Sequence, residues 1–146
     1  MSFANLPESF DDLPLDDPAL AADVVDLFVG HDDRLGGAVC LLLLDDALRL
    51  RQPCVIGDVP ADADPGQLAA FLTELARMVA GDGGAVVFAR GRDGSVLLTD
   101  ADRAWHETVI EACRAGGARL VGAYLATPAT VRAFPEPLGA VGDLAS

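Results

Sequence analysis

The sequence predicts an α/β fold, a single layered domain with a mixed sheet of about four or more strands flanked by helices. Short apolar runs bounded by Gly, Pro or Asp, at 38–44 and 85–89, are typical of buried strands. Segments with apolar residues at helical spacing, at 65–80 and 100–115, alternate with these runs. The first two strands are expected to form a hairpin, and the later strands to return by helical crossovers.

Capping residues predict where the helices begin. The three starts share a side-chain oxygen next to the first turn: Asp17 before Pro18, Asp64 before Pro65, and Thr99 with Asp102 in a pattern that resembles a capping box. Gly30 is placed to end the first helix.

The predicted hairpin has a definite register. A tight turn between its strands would place Asp45 opposite Arg49 and Cys40 opposite Cys54. We interpret the cysteine pair as two small core residues that lie side by side. Pro53 indicates that the second strand is an edge strand there or ends in a bulge.

The chain is divided into three parts. Residues 1–17 form an acidic N-terminal arm, residues 18–133 a single α/β domain, and residues 134–146 a C-terminal tail. Apolar residues of the arm could pin it to a groove: Leu6, Phe10, Leu13 and Leu15. After a strand at 120–126, Thr127 and Pro128 could open one more short helical turn through Arg132.

The charge excludes several classes of function. The net charge is −13, and residues 1–33 carry nine acids and no Arg or Lys. An acidic surface repels nucleic acid and anionic membranes, so neither is expected as a partner. The longest apolar run, 38–44, is too short to cross a bilayer, and no signal-peptide pattern is present, so a cytoplasmic protein is expected.

No cofactor or metal is indicated. Cys40, Cys54 and Cys113 form no C-x-x-C pattern, and we expect reduced, mostly buried thiols. His31 and His106 lack nearby metal-ligand partners in the sequence. We expect His31 to lie at the C-terminus of the first helix, where it would interact favourably with the helix dipole.

The candidate site lies in the connection between the predicted strand at 85–89 and the helix at 100–115. Arg90, Gly91 and Arg92 are expected in a Gly-rich loop, just before the helix that Thr99 begins. Two guanidinium groups near a helix N-terminus could hold an anion. The alternative is that the arginines pair with neighbouring acids such as Asp102. His106 is expected on the flank of the helix's apolar face, beside Ile110.

The junction resembles the RadC-like branch of the JAB/MPN superfamily. That family's motif is H-x-H, a spacer and S-x-x-D after a buried strand, and Arg90-Gly91-Arg92 and Thr99 to Asp102 would fall on its two parts. The resemblance implies a layered α/β fold over residues 20–127. Because arginines would replace both ligand histidines, it also implies that this chain lacks the family's zinc and peptidase chemistry.

The sequence leads to two functional hypotheses. The first is a non-catalytic binding or assembly domain whose partner is a protein or a small anionic ligand, and in which Arg90 and Arg92 could become Ala without loss of the fold. The alternative is an enzyme that acts on a small anionic substrate through Arg90, Arg92, Asp102 and His106, in which the arginines bind the anion and His106 is the acid or base. A homodimer could form through the edge strand near Pro53 or the apolar side of the first helix.

Overall fold

The computed structural model describes residues 10–135, and its five strands form one mixed sheet in the order β2-β1-β3-β4-β5. The strands are β1 (Ala38–Leu44), β2 (Leu50–Gly57), β3 (Ala85–Gly91), β4 (Arg119–Ala126) and β5 (Val131–Ala133). β3 and β4 are parallel, and the other neighbouring pairs are antiparallel. The predicted α/β class, hairpin and mixed sheet are therefore confirmed.

Helices cover both faces of the sheet. They are α1 (Pro18–Phe28), α2 (His31–Gly36), α3 (Ala69–Gly81) and α4 (Asp100–Gly116), and a 3-10 turn at Pro65–Leu68 precedes α3. β1 and β3 are buried along their whole length because both of their faces are covered. On one face they pack against α3 and α4 around Phe88, and on the other against α1 around Val24.

The predicted helix caps are confirmed. The Asp17 carboxylate accepts a hydrogen bond from the Ala19 amide, and the Asp64 carboxylate accepts one from Gly66. At α4 both halves of the capping box are present, since Thr99 and Asp102 each accept a hydrogen bond from the other's backbone amide. These contacts satisfy amide groups that would otherwise lack partners at the helix starts.

The predicted register of the hairpin holds near its turn and fails beyond a bulge. The Asp45 amide donates to the Arg49 carbonyl, as expected. An irregularity between Leu43 and Leu44 then shifts the pairing, so that Cys40 lies opposite Val55 rather than Cys54. A shift of one residue moves a side chain to the opposite face of the sheet, so the prediction of adjacent cysteines was wrong.

The connection from α1 to β1 differs from the prediction. α1 ends at Phe28, and Gly30 precedes a second short helix, α2, that begins at His31. His31 is therefore exposed at a helix N-terminus, and the prediction of a C-terminal position was wrong. α2 is followed by Gly37, whose φ is +88° and whose added Cβ would lie 1.9 Å from the Val59 carbonyl oxygen, so only glycine fits this turn.

The end of the described chain is a strand and not a helix. Thr127 and Thr130 close a tight turn, and Val131–Ala133 form β5 against the last residues of β4. The predicted helical turn from Thr127 to Arg132 was wrong, because pairing with the neighbouring strand outweighs the helix-start signal of Thr127-Pro128.

The apolar face of α3 is wider than its buried face. Leu72, Ala76 and Val79 are buried, whereas the apolar residues Phe71 and Met78 of the same helix are exposed. None of the helices within residues 10–135 is long and apolar enough to cross a membrane.

The acidic arm packs on the domain within its described part. Leu15 is buried beside α1, and Pro14 forms a strand-like bridge with Arg49 at the hairpin. Phe10 contacts the ring of Phe28 edge-on. Leu13 is exposed, and Leu6 lies outside the described residues.

Candidate functional site

Arg90 is a residue of a sheet strand, and not of a loop as predicted. It belongs to β3, and only 1% of its surface is exposed. Its guanidinium donates hydrogen bonds to three carbonyl oxygens, those of Ala38, Val59 and Pro60, at 2.9–3.2 Å. The guanidinium carbon also lies 5.4 Å from the ring centroid of Trp105 on α4, in a cation–π contact.

Arg92 follows β3 and binds the start of α4. Its Nε and Nη2 donate to the Asp102 carboxylate in a two-pronged ion pair, with the shortest distance 2.7 Å. Its remaining bonds reach the carbonyls of Asp93 and Leu97, so four of its five N–H donors are used in this network. Arg92 therefore holds the β3–α4 loop against the helix start.

Asp102 is the centre of this network. It is 1% exposed, and its carboxylate accepts hydrogen bonds from Arg92 and from the Thr99 amide. Those hydrogen bonds and the charge of Arg92 outweigh burial and lower the pKa of Asp102 below its ordinary value. For Arg92, pairing with a neighbouring acid is the interpretation that the contacts match, although the pair is buried rather than on the surface. Arg90 forms no ion pair among the described residues and donates to backbone carbonyls instead.

Two further residues at this end of the sheet connect neighbouring elements, Gly91 by allowing close packing and Arg34 by hydrogen bonds. A Cβ added at Gly91 would lie 2.8 Å from a methyl group of Val29, so glycine lets the end of α1 approach β3. Arg34, which no sequence pattern singled out, is 6% exposed and donates to the carbonyls of Val29 and Thr127 and to the Asp26 carboxylate. It joins α1 to the end of β4.

His106 lines an apolar groove along β4. Its ring centroid is 4.8 Å from that of Phe134. Burial lowers the pKa of His106, and the nearby charge of Glu107 opposes this only in part, so the imidazole is neutral at pH 7. Within residues 10–135, no hydrogen bond joins His106 to Arg90 or Arg92, and the hydrogen bonds of the two arginines go to backbone carbonyls and to Asp102.

The groove has a volume of about 500 Å³, within the range of ligand sites in proteins. Its walls come from both faces of the sheet. On the α4 side they include His106, Ile110, Leu120 and Phe134, and on the α1 side Pro18, Val121 and Tyr124. The described residues that line the groove include no Asp, Glu or Arg. The sequence predicted that His106 and Ile110 share a helix flank, but not that a groove opens beside them.

Tyr124 supplies a hydroxyl group to this groove. Only 4% of the residue is exposed, and its hydroxyl forms no hydrogen bond within the part of the chain that the structure describes. Its ring lies over Gly122, where an added Cβ would be 3.1 Å from a ring carbon. Burial raises the pKa of Tyr124, and the charge of Asp17 raises it further, so the hydroxyl keeps its proton.

Other reactive side chains have environments that suit a core. Burial raises the pKa of the Cys40 thiol to about 12 and that of Cys113 to about 11, so neither is a thiolate at pH 7. All three cysteines are free. Among residues 10–135 there is no group of three or more His, Cys, Asp and Glu side chains that could hold a metal ion.

We expect Asp102→Ala to lower the free energy of unfolding by about 3 kcal/mol, because it leaves a largely buried guanidinium without its partner and removes half of the capping box. Urea denaturation of the purified variant measures this. Asp100→Ala is the matched control, since Asp100 lies in the same helical turn, is exposed and, within residues 10–135, pairs only with Arg103 at the surface. Equal effects of the two changes would contradict the assigned role of Asp102.

A second prediction concerns pH. The pKa of His106 is lower in the folded chain than in the unfolded one, where it is near 6.5. Below that value the unfolded chain binds a proton that the folded chain does not, so stability is complete above it and falls as the pH drops towards the folded pKa. We expect His106→Gln to lose less stability than the original chain between about pH 8 and about pH 5, measured by urea denaturation.

The control for this experiment is His31→Gln, because His31 is exposed. That variant should retain the pH dependence of the original chain. If His106→Gln retained it as well, the imidazole would not be responsible.

Comparison with known proteins does not add a family or an activity to this geometry. No family model, no curated protein and no solved structure matches the chain.

Proposed function

We propose that the chain is a non-catalytic binding domain, and that it binds its ligand or partner in the apolar groove along β4. The groove is the observation that carries this proposal: it combines a volume of about 500 Å³ with apolar walls and two polar groups, the neutral His106 ring and the Tyr124 hydroxyl. Ligand sites in proteins have this composition, a mostly apolar lining with a few polar groups that fix orientation.

The arginine network supports a structural role for the residues that were expected to bind an anion. Arg90 and Arg92 direct their N–H groups to backbone carbonyls and to Asp102. A buried charge of this kind is expensive to leave unpaired. We therefore revise the expectation that both arginines could become Ala without loss of the fold, and we expect both changes to destabilise it.

The resemblance to RadC-like JAB/MPN domains remains part of the proposal. In that comparison Arg90 and Arg92 stand where the family has its zinc-ligating histidines, and a guanidinium does not give up a proton to bind a metal. The scaffold would then be kept for binding while the metal chemistry is lost. The groove along β4 supplies a binding surface that does not depend on the motif.

The metal content of the purified protein tests the non-catalytic part. We expect substoichiometric zinc after expression in zinc-supplemented medium, because arginines occupy the positions that would hold it. Elemental analysis by mass spectrometry measures the ratio of zinc to protein. One zinc per chain that survives dialysis would overturn this part of the proposal.

The groove itself is tested with indole, a small neutral aromatic probe. We expect millimolar indole to shift the backbone amide NMR signals of residues that line the groove, such as Ile110, Gly122 and Ala133. Ala133→Trp should weaken this binding at least about tenfold, because Ala133 is exposed at the groove and a large side chain would fill it.

The matched control is Ala70→Trp, an exposed position on α3 that does not line the groove. It should leave the binding of indole unchanged. Saturable shifts that map elsewhere, or no saturable shift at all, would contradict the groove as a binding site.

A further inference from the structure

We propose that the ligand of the groove is an extended, uncharged peptide segment of another protein, which adds to the sheet as a strand beside β4. This inference rests on the proposed function, because it names the occupant of the same groove. Three features carry it: an open strand edge, the position of the groove across that edge, and the absence of charge on its described walls.

The outer edge of β4 is only partly paired. β5 is three residues long and pairs with Tyr124, Leu125 and Ala126. The Phe134 amide donates to the Ala123 carbonyl and extends that ladder by one bond. Within residues 10–135, the backbone from Arg119 to Gly122 has no strand partner on this side, which leaves an open edge of about 13 Å. Unpaired edges of this kind are where extended peptides add to sheets.

The groove straddles this edge. Leu120 and Phe134 pack with the core on the α4 side of the sheet, whereas Val121 and Tyr124 pack with the core on the α1 side. In an extended peptide, successive side chains point to opposite faces. A peptide strand beside β4 would therefore place alternate side chains against the two walls and its main chain against the open backbone between them. A compact small molecule would use one wall and leave the backbone edge unpaired.

The polar groups of the groove favour an uncharged peptide. Its described lining contains no Asp, Glu or Arg, and the Asp17 charge acts on the Tyr124 hydroxyl from nearby, which disfavours an anion. The hydroxyl of Tyr124 and the neutral ring of His106 can both donate and accept hydrogen bonds. These groups suit peptide amides or Ser and Thr side chains, and the apolar walls suit Val or Ile at alternate positions.

The direct test uses a capped synthetic peptide of about seven residues in which Thr and Val alternate, a length typical of a strand. Isothermal titration of the full chain with this peptide should show saturable binding, and the shifted amide signals should map to the groove. Tyr124→Phe should weaken binding about fivefold to tenfold with the fold unchanged, because one hydrogen bond is lost. Ala133→Trp should abolish it, and Ala70→Trp should not change it.

Two N-methylated forms of the same peptide distinguish strand pairing from nonspecific binding. One form is methylated at the odd amides and the other at the even amides, so that each blocks one edge of the peptide strand. We expect one form to lose at least about tenfold in affinity and the other to bind within about threefold of the parent. Equal affinities of all three peptides would overturn the proposal.

Two other occupants are outcomes of the same experiments. If indole binds in the groove and the peptide does not, the binding site stands and its assignment to a peptide is wrong. If replacing the apolar residues Leu138, Val141 and Leu144 by Asp in the full chain raises the affinity for the peptide, residues 136–146 compete for the groove, and the assignment to another protein is wrong.

Discussion

A guanidinium group that cannot lose its charge lies inside the sheet, and the segments around it are arranged to solvate it. Burial lowers the pKa of Arg90, yet an arginine remains charged at neutral pH. Its hydrogen bonds therefore fix the positions of the Ala38, Val59 and Pro60 carbonyls relative to one another. The start of β1, the segment after β2 and the helix that carries Trp105 are thereby held together.

Two other arginines at this end of the sheet also join separate segments by hydrogen bonds. Arg34 joins the end of α1 to the Thr127 carbonyl after β4, and Arg92 joins the β3–α4 loop to Asp102. In α/β proteins the carboxyl ends of parallel strands are the usual place for a ligand. Here three arginines occupy that end with contacts to their own chain. The outer edge of β4, where the groove lies, is therefore the better candidate for binding.

The extent to which the sequence predicted this structure follows from the range of the interactions involved. Caps at Asp17, Asp64 and Thr99 are local contacts, so the helix starts could be predicted directly. The burial of Arg90 could not, because an arginine after an apolar run is usually the first residue outside the core. Only the carbonyls of residues distant in sequence make its burial possible.

The bulge that separates Cys40 from Cys54 likewise depends on pairing and not on composition. The groove brings together α1, α4, β4 and β5, and of its residues the sequence linked only His106 and Ile110.

The two edges of the sheet differ in a way that bears on how the chain associates. The β2 edge carries Pro53, the exposed Arg51 and the bulge, which are devices that keep an edge from pairing with another chain. A homodimer through β2 would have to overcome all three. Within residues 10–135, the part of β4 that has no strand partner on its outer side has the apolar sequence Leu120-Val121-Gly122, and the groove lies across it. β4 also has an irregularity, at Val121, but it lies in the pairing of β4 with β3. An unpaired apolar edge is a liability to a protein unless something covers it, so of the two edges β4 is the one that a binding partner would select.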